Sequence, residues 1–375
     1  MLLEELEAQN FRNLVGGIGF QPGLNILVGE NGQGKTNWLE AIYLLASTRS
    51  FKTTKLVETV KFGEDLGIIR GRVRRTEEIH RDLQVTISKN IKSLWVNSKQ
   101  IPAREYHGQL HAALFTSDAL EIVRGGPDER RRFLDEIIVS IHPPYAQTVA
   151  DHNRVIRQKN TLLQTAKDRE LSLEETAEQL LPWNEQLAGL ATRIHRSRVR
   201  IVERLNSELR DSVFQKEELT LHYISSLEGK GDLENYQDLI TERLRMRVQA
   251  ERAAGYALIG PHRDECEIRF DGRDIRKFGS SGQQRSALLS LQIANIAVFW
   301  TQQREYPLFL IDDIDAELDH QRIGQLLEFL DGKTQTIITT SKFDLARSLA
   351  PKGAIFEVSG GKASVSQSGQ IVPVK

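Results

Sequence analysis

The chain has 375 residues, room for two domains and a sizeable core, and its 50 basic and 51 acidic residues leave a net charge of −1. Overall charge therefore excludes a polycation that coats nucleic acid or an acidic membrane, so any such surface has to be local. A single cysteine, Cys266, excludes an intramolecular disulfide and a multi-cysteine zinc site; it fits a reducing cytoplasm and reads as a small core residue.

In chain order, Met1 to Glu7 carries acids where a secretory signal is basic, and no apolar run is long enough to span a bilayer, so a cytoplasmic protein with no membrane contact is expected. Segments 1–10 and 24–28 read as strands. Between the second of them and the helical pattern Trp38 to Ala46 stands Gly29-Glu30-Asn31-Gly32-Gln33-Gly34-Lys35-Thr36, that is, G-x-x-x-x-G-K-T. Strand, glycine loop and helix start are what a phosphate cradle needs: loop amides and the helix N-terminus face an anion, Lys35 reaches the β/γ-phosphates and Thr36 offers a hydroxyl to Mg2+. Residues 82–88 and 93–97, with a turn near Lys89 and Asn90, read as a hairpin, and a mixed sheet near the loop is expected.

The texture changes at Gly125-Gly126-Pro127, and from there to about Ala254 the chain is mostly helical. Val149, Ile156 and Leu163 stand seven apart, as do Leu187, Ile194 and Ile201, on either side of the polar segment 167–182 that contains Pro182. Two readings stay open: a short antiparallel helical arm, or two amphipathic helices of a globular helical domain. A short β-like piece, Leu219 to Ile224, interrupts the region. From Gly255 strands at 256–259, 267–270, 307–311 and 335–339 alternate with helical patterns at 284–303 and 319–331, which implies parallel strands. The expected plan is α/β: an ATPase head formed by both chain ends (1–126 and 255–375) with an inserted helical arm domain (127–254).

The apolar run Leu308 to Ile311 ends in Asp312-Asp313. A buried parallel strand delivers such a pair to the carboxyl edge of the sheet, where Asp312 holds magnesium and Asp313 polarises the attacking water. Ser280, Ser281, Gly282 and Gln283 open another helix and read either as a helix cap or as a second anion-binding N-terminus, contributed to a partner copy's γ-phosphate in a homodimer. Then come Asp315 to Asp319 and a strand ending Thr339-Thr340-Ser341. Nucleotide loop, signature, acid pair, Asp-containing loop and switch strand, in this order, are the order of ABC-type ATPases.

The chain resembles the RecF family, in the SMC-like branch of the ABC ATPases. The resemblance rests on Asn10-Phe11-Arg12-Asn13, on Gly29 to Tyr43 (GENGQGKTNWLEAIY), on Arg130 to Asp135 (RRRFLD), on Gly260 to Asp264 (GPHRD), on Phe278 to Arg285 (FGSSGQQR), and on Leu310 to Asp313 with Glu317 to Asp319. It implies ATP and Mg2+ at Lys35, Thr36 and Asp312, a catalytic role for Asp313 with Lys35, and Arg12 and Asn13 near base and ribose. It also implies an ATP-dependent homodimer joined through Ser280 to Gln283, weak DNA-stimulated hydrolysis, and work with RecR, RecO and RecA at single-strand gaps in DNA repair, replication and the SOS response. Departures are Trp38 where the family has leucine, no proline near Ser117, no histidine after the switch strand, and only Gln109 as a sensor candidate in 109–118. The missing histidine argues against a transporter's nucleotide-binding subunit; a clamp that uses ATP only to dimerise is the remaining alternative.

For DNA, Arg193, Arg196, Arg200 and Arg204 form one basic stripe at helical spacing, and Arg130, Arg131 and Arg132 a second cluster that can equally pair with Asp128 and Glu129. The alternative for the stripe is a solvated helix face. Without interleaved aromatics, backbone-directed binding of duplex DNA or of single-strand/double-strand junctions is expected.

Overall fold

The computed structural model describes residues 1–75, 78–89, 91–210 and 218–366. Asn90 of the expected hairpin turn and the last few residues lie outside the described set. The early strands are β1 (Leu2–Gln9), β2 (Gly16–Gly19), β3 (Leu24–Val28), β4 (Leu66–Arg74), β5 (His80–Ser88), β6 (Lys92–Val96), β7 (Lys99–Ile101) and β8 (Ala112–Phe115). They are followed by β9 (Leu219–Ile224), β10 (Glu265–Phe270), β11 (Arg273–Asp274), β12 (Leu308–Ile311), β13 (Thr336–Thr340), β14 (Gly353–Ser359) and β15 (Lys362–Val365).

The chain packs as two compact units, Met1–Leu120 with Leu288 onward, and Glu121–Ala287. The first unit holds two six-stranded sheets, and the one that carries β3 is mixed, as expected near the loop. One is antiparallel, in the order β2-β1-β4-β5-β6-β7; the other runs β15-β14-β3-β13-β12-β8 and is parallel from β14 to β8. The hairpin β5–β6 belongs to the antiparallel sheet, not to the sheet of the glycine loop. Its strands alternate buried and exposed residues, as a sheet with one solvated face does. By contrast β3, β12 and β13 are buried at every position. The helix Lys35–Ser47 touches β12 and β13 of one sheet and β4 and β5 of the other, which explains why its Trp38, Leu39, Ala41, Ile42, Leu44 and Leu45 are all buried. Trp38, in the family's leucine position, is fully buried in this layer.

In the second unit the helices Tyr145–Asp168 and Leu173–Arg210 run antiparallel, bringing Val155 and Leu187 into one core with Tyr236, Ile240 and Leu244. The hairpin thus has a core of its own with the helix Tyr236–Met246. The segment 167–182 is not a linker. Ser172 and Glu175 form a capping box, Ser172 N donating to Glu175 Oε2 (2.9 Å) and Glu175 N to Ser172 Oγ (3.1 Å), so the second helix starts at Leu173 and carries Pro182 inside it.

Residues 256–259 form no strand: the N–H of Ala257 goes to Asn160 Oδ1 and that of Leu258 to Glu251 Oε1, so side chains take the bonds a neighbouring strand would have taken. The boundary expected at 254/255 lies instead after Ala287. The cause is β9, which pairs antiparallel with β10, Tyr223 opposite Cys266, and ties the segment before the signature to the helical unit. Cys266 is a buried residue of β10, as expected.

Candidate nucleotide-binding site

The glycine loop leaves β3 and turns into the helix Lys35–Ser47 through two positions that only glycine takes without strain, Gly32 (φ 81°) and Gly34 (φ 108°). Lys35 is buried and its Nζ donates back to the loop, to Gly29 O at 2.8 Å and Glu30 O at 2.9 Å, so the ammonium sits over the cradle. Burial lowers its pKa, while Asp313, Asp312 and Asp315 pull it back up.

Parallel pairing puts β13 beside both β3 and β12, Thr340 opposite Val28 and Ile311 opposite Ile338, so the carboxyl ends of these strands meet. That register assembles one hydrogen-bonded set. Thr36 Oγ1 donates to Asp312 Oδ1 at 3.0 Å, Thr339 Oγ1 donates to the same oxygen at 2.7 Å, and Asp313 N donates to Thr339 Oγ1 at 2.8 Å. Burial raises the pKa of Asp312, and the two threonine hydroxyls oppose that shift. A hydroxyl beside a half-buried carboxylate is the hard-oxygen pair that Mg2+ takes. Asp313 occupies the left-handed region (φ 51°, ψ 50°), a bend that turns the chain off β12 and leaves the residue exposed. Thr340 Oγ1 donates to Asp315 Oδ1 at 2.5 Å, so the switch strand fixes the Asp-containing loop through a neutral hydroxyl. A triphosphate fits this donor set: open glycine amides, a buried ammonium and a hydroxyl–carboxylate pair.

Asn13 and Arg12 flank the loop. Asn13 Oδ1 accepts from Asn37 Nδ2 at 2.8 Å, and Arg12 makes a two-pronged pair with the fully buried Glu40 (3.0 and 2.8 Å). Beside them opens a cavity of about 610 Å3, lined by Arg12, Asn13, Asn37, Lys61 and the exposed Phe62, of a size to take a base and ribose. Sequence reasoning missed Glu40 and Lys52. Glu40 orients Arg12 and accepts from Ser50 Oγ (2.5 Å); its signal was a lone acid in an apolar helix. Lys52 Nζ donates to Asn37 Oδ1 at 2.9 Å and feels the carboxylates of Glu40 and Asp312; no spacing in the sequence marked it. Gln109, the sensor candidate, is spent on Arg81 and on Glu105 O.

In the second unit, Ser280 caps the helix Ser281–Gln303: Gln283 N donates to Ser280 Oγ (3.3 Å) and Ser280 N to Gln283 Oε1 (2.8 Å). The cap reading is therefore met, and Ser280, Ser281 and Gly282 stay accessible. Arg193, Arg196, Arg200 and Arg204 are all exposed on the helix Leu173–Arg210. In the Arg130 to Arg132 cluster each arginine is paired with an acid, and only Arg132 is exposed. Arg130 is 4 % exposed and pairs with both oxygens of Glu265 (2.8 Å each), Arg131 bonds Asp264 O and Asp128, and Arg132 bonds Glu129. These bonds, with Arg198 held by Asp135 (2.9 and 2.8 Å) and donating to Pro261 O (2.7 Å), knit the RRRFLD and GPHRD blocks together.

Residues 2–362 match the family model described as the RecF/RecN/SMC N-terminal domain. The chain is 34% identical to the DNA replication and repair protein RecF of Lactobacillus johnsonii, over 98% of this chain and 100% of that protein. It is 37% identical to that of a Cyanothece species, over 96% and 97%. A solved structure of the recombination mediator RecF with ATP, described as part of the RecFOR pathway, superposes with a TM-score of 0.88 at 29% identity, covering 97% of each chain. An SMC head bound to the C-terminal winged-helix domain of ScpA shares the fold, with a TM-score of 0.55 at 16% identity and 98% coverage of each chain.

Proposed function

The chain belongs to the RecF family of SMC-type ABC ATPases, and on that premise we propose that it is an ATP-dependent DNA-binding protein of DNA replication and repair. The observation that carries this reading is the set Lys35, Thr36, Asp312, Asp313 and Thr339 at one sheet edge. There the loop Gly29 to Thr36 holds the phosphates of ATP, Thr36 and Asp312 hold Mg2+, Arg12 and Asn13 border base and ribose, and Asp313 orients the attacking water. Mg2+ held by Thr36 and Asp312 would supply neutralisation of phosphate charge. The accessible Ser280, Ser281, Gly282 and Gln283 complete the site of a second copy, so that ATP closes a homodimer and slow, DNA-stimulated hydrolysis opens it. Its partners on this reading are duplex DNA and single-strand/double-strand junctions, RecR directly, and RecO and RecA through it, at gaps and in the SOS response. Among the described residues no helix is long and apolar enough to cross a membrane.

Ser281→Arg tests the shared site. The Ser280–Gln283 cap does not use the Ser281 side chain, so the helix start survives while the added bulk and charge stand where the partner's site would close. The variant should bind ATP as a monomer with unchanged affinity and show no ATP-dependent dimer by light scattering; normal dimers would refute the shared site. For DNA, Arg196→Ala with Arg200→Ala should weaken binding and reduce the slope of log K against log salt by about two, one for each phosphate no longer neutralised. A wild-type slope in the double variant would return the stripe to being a solvated face.

A further inference from the structure

The glycine loop does not hold its shape alone. Strands β14 and β15 are joined by Gly360-Gly361, both at positive φ (55° and 83°), a turn of the type that suits a two-residue hairpin. This turn lies against the loop. Gly361 N donates to Gln33 O at 2.8 Å, Gly360 N donates to Gln33 Oε1 at 2.7 Å, and Val15 N donates to Gly361 O at 3.1 Å. The approach is too close for any other residue at one of the two positions. A Cβ on Gly361 would stand 1.8 Å from Asn13 O, whereas a Cβ on Gly360 would meet nothing within 4 Å. The turn itself accepts asparagine at its first position, Gly360, and favours glycine at its second, Gly361, where the contact with Asn13 O adds a packing requirement that Gly360 does not have. From the other side, a Cβ on Gly34 would fall 2.9 Å from Asn13 Oδ1 and 3.2 Å from Gly361 Cα. Loop, Asn13 turn and hairpin turn interlock.

The interlock has a directional consequence. In a trans peptide the C=O and the following N–H point opposite ways. Holding Gln33 O toward the hairpin turns the Gly34 N–H away from it, to the side on which the loop amides gather around an anion. We propose that Gly361 is a positioning residue for the nucleotide: it presets the Gln33–Gly34 peptide so that the Gly34 amide faces a phosphate before one arrives. This rests on the reading that the loop Gly29 to Thr36 binds ATP. Preorganisation of this kind appears as affinity, because the ordering cost is met in the free protein.

The experiment compares wild type, Gly361→Ala, Gly360→Asn and Gln33→Ala in full-length protein. ATP affinity is measured by calorimetry, turnover at saturating ATP, and amide hydrogen exchange of residues 30–36 without nucleotide. Gly361→Ala should raise the Kd for ATP about tenfold, leave kcat within about twofold, and speed loop exchange in the nucleotide-free protein. Gly360→Asn, which keeps its N–H and meets open space, should match wild type. Gln33→Ala, losing one hydrogen bond, should weaken ATP about threefold, and it decides the matter if Gly361→Ala does not fold. Equal ATP affinity in Gly361→Ala and wild type, or equal loss in Gly360→Asn, would overturn the proposal. Wild-type protein that binds no ATP would instead overturn the nucleotide reading beneath it.

Discussion

Lys35→Ala is expected to raise the dissociation constant for ATP by on the order of 100-fold or more, to the point where binding is lost at micromolar nucleotide. The ammonium is buried over the loop and already desolvated, with two loop carbonyls as its hydrogen-bond partners at 2.8 and 2.9 Å. A phosphate oxygen offers a charged acceptor in their place, and each charge-assisted bond contributes about 1.5–3 kcal/mol, so two such bonds account for the expected loss. The variant should fold, because alanine leaves the helix Lys35–Ser47 intact and frees only exchangeable loop carbonyls. Calorimetric titration with ATP and Mg2+ checks this, with melting of the nucleotide-free protein as the control; affinity within tenfold of wild type would remove Lys35 from the phosphates.

Asp313→Asn should separate binding from turnover. Its backbone N–H is tied to Thr339 Oγ1 at 2.8 Å and its left-handed conformation is one that asparagine adopts as readily, so the local structure is retained. Only the acceptor proposed to orient water is weakened. ATP hydrolysis should fall about 100- to 10,000-fold with ATP affinity within a few-fold of wild type, and ATP-dependent dimers should persist for longer. Single-turnover hydrolysis and light scattering read the two effects; hydrolysis near the wild-type rate would transfer the catalytic role to another group.

Much of the site was legible because its chemistry is local. Glycines at 29, 32 and 34 before Lys-Thr, and an apolar run before Asp312-Asp313, each name a strand end and its cargo within a few residues. Sheet membership was not, because it depends on pairing across the chain: the strands of 1–10 and of the hairpin look alike whether they join β3 or build a separate antiparallel sheet. The boundary after Ala287 was hidden for the same reason, since β9 finds its partner β10 only in three dimensions. Pro182 misled because a breaker was weighed without the Ser172–Glu175 box that starts the helix ahead of it. Of the arginines, spacing identified the exposed stripe, but only the fold shows that Arg130 is held by Glu265.

The pairing of β3 with β13 and β14 sets a schedule for the chain's birth on the ribosome. The strands on both sides of β3 are made roughly 310 residues or more after it. At elongation rates of about 5–20 residues per second, roughly 15–60 seconds pass between β3 and them. The contiguous stretch 121–287 can meanwhile complete its own core. Nascent chains arrested before β13 should therefore contain a folded helical unit and no ATP site, leaving the apolar face of Leu24–Val28 to a chaperone until β13 and β14 are made.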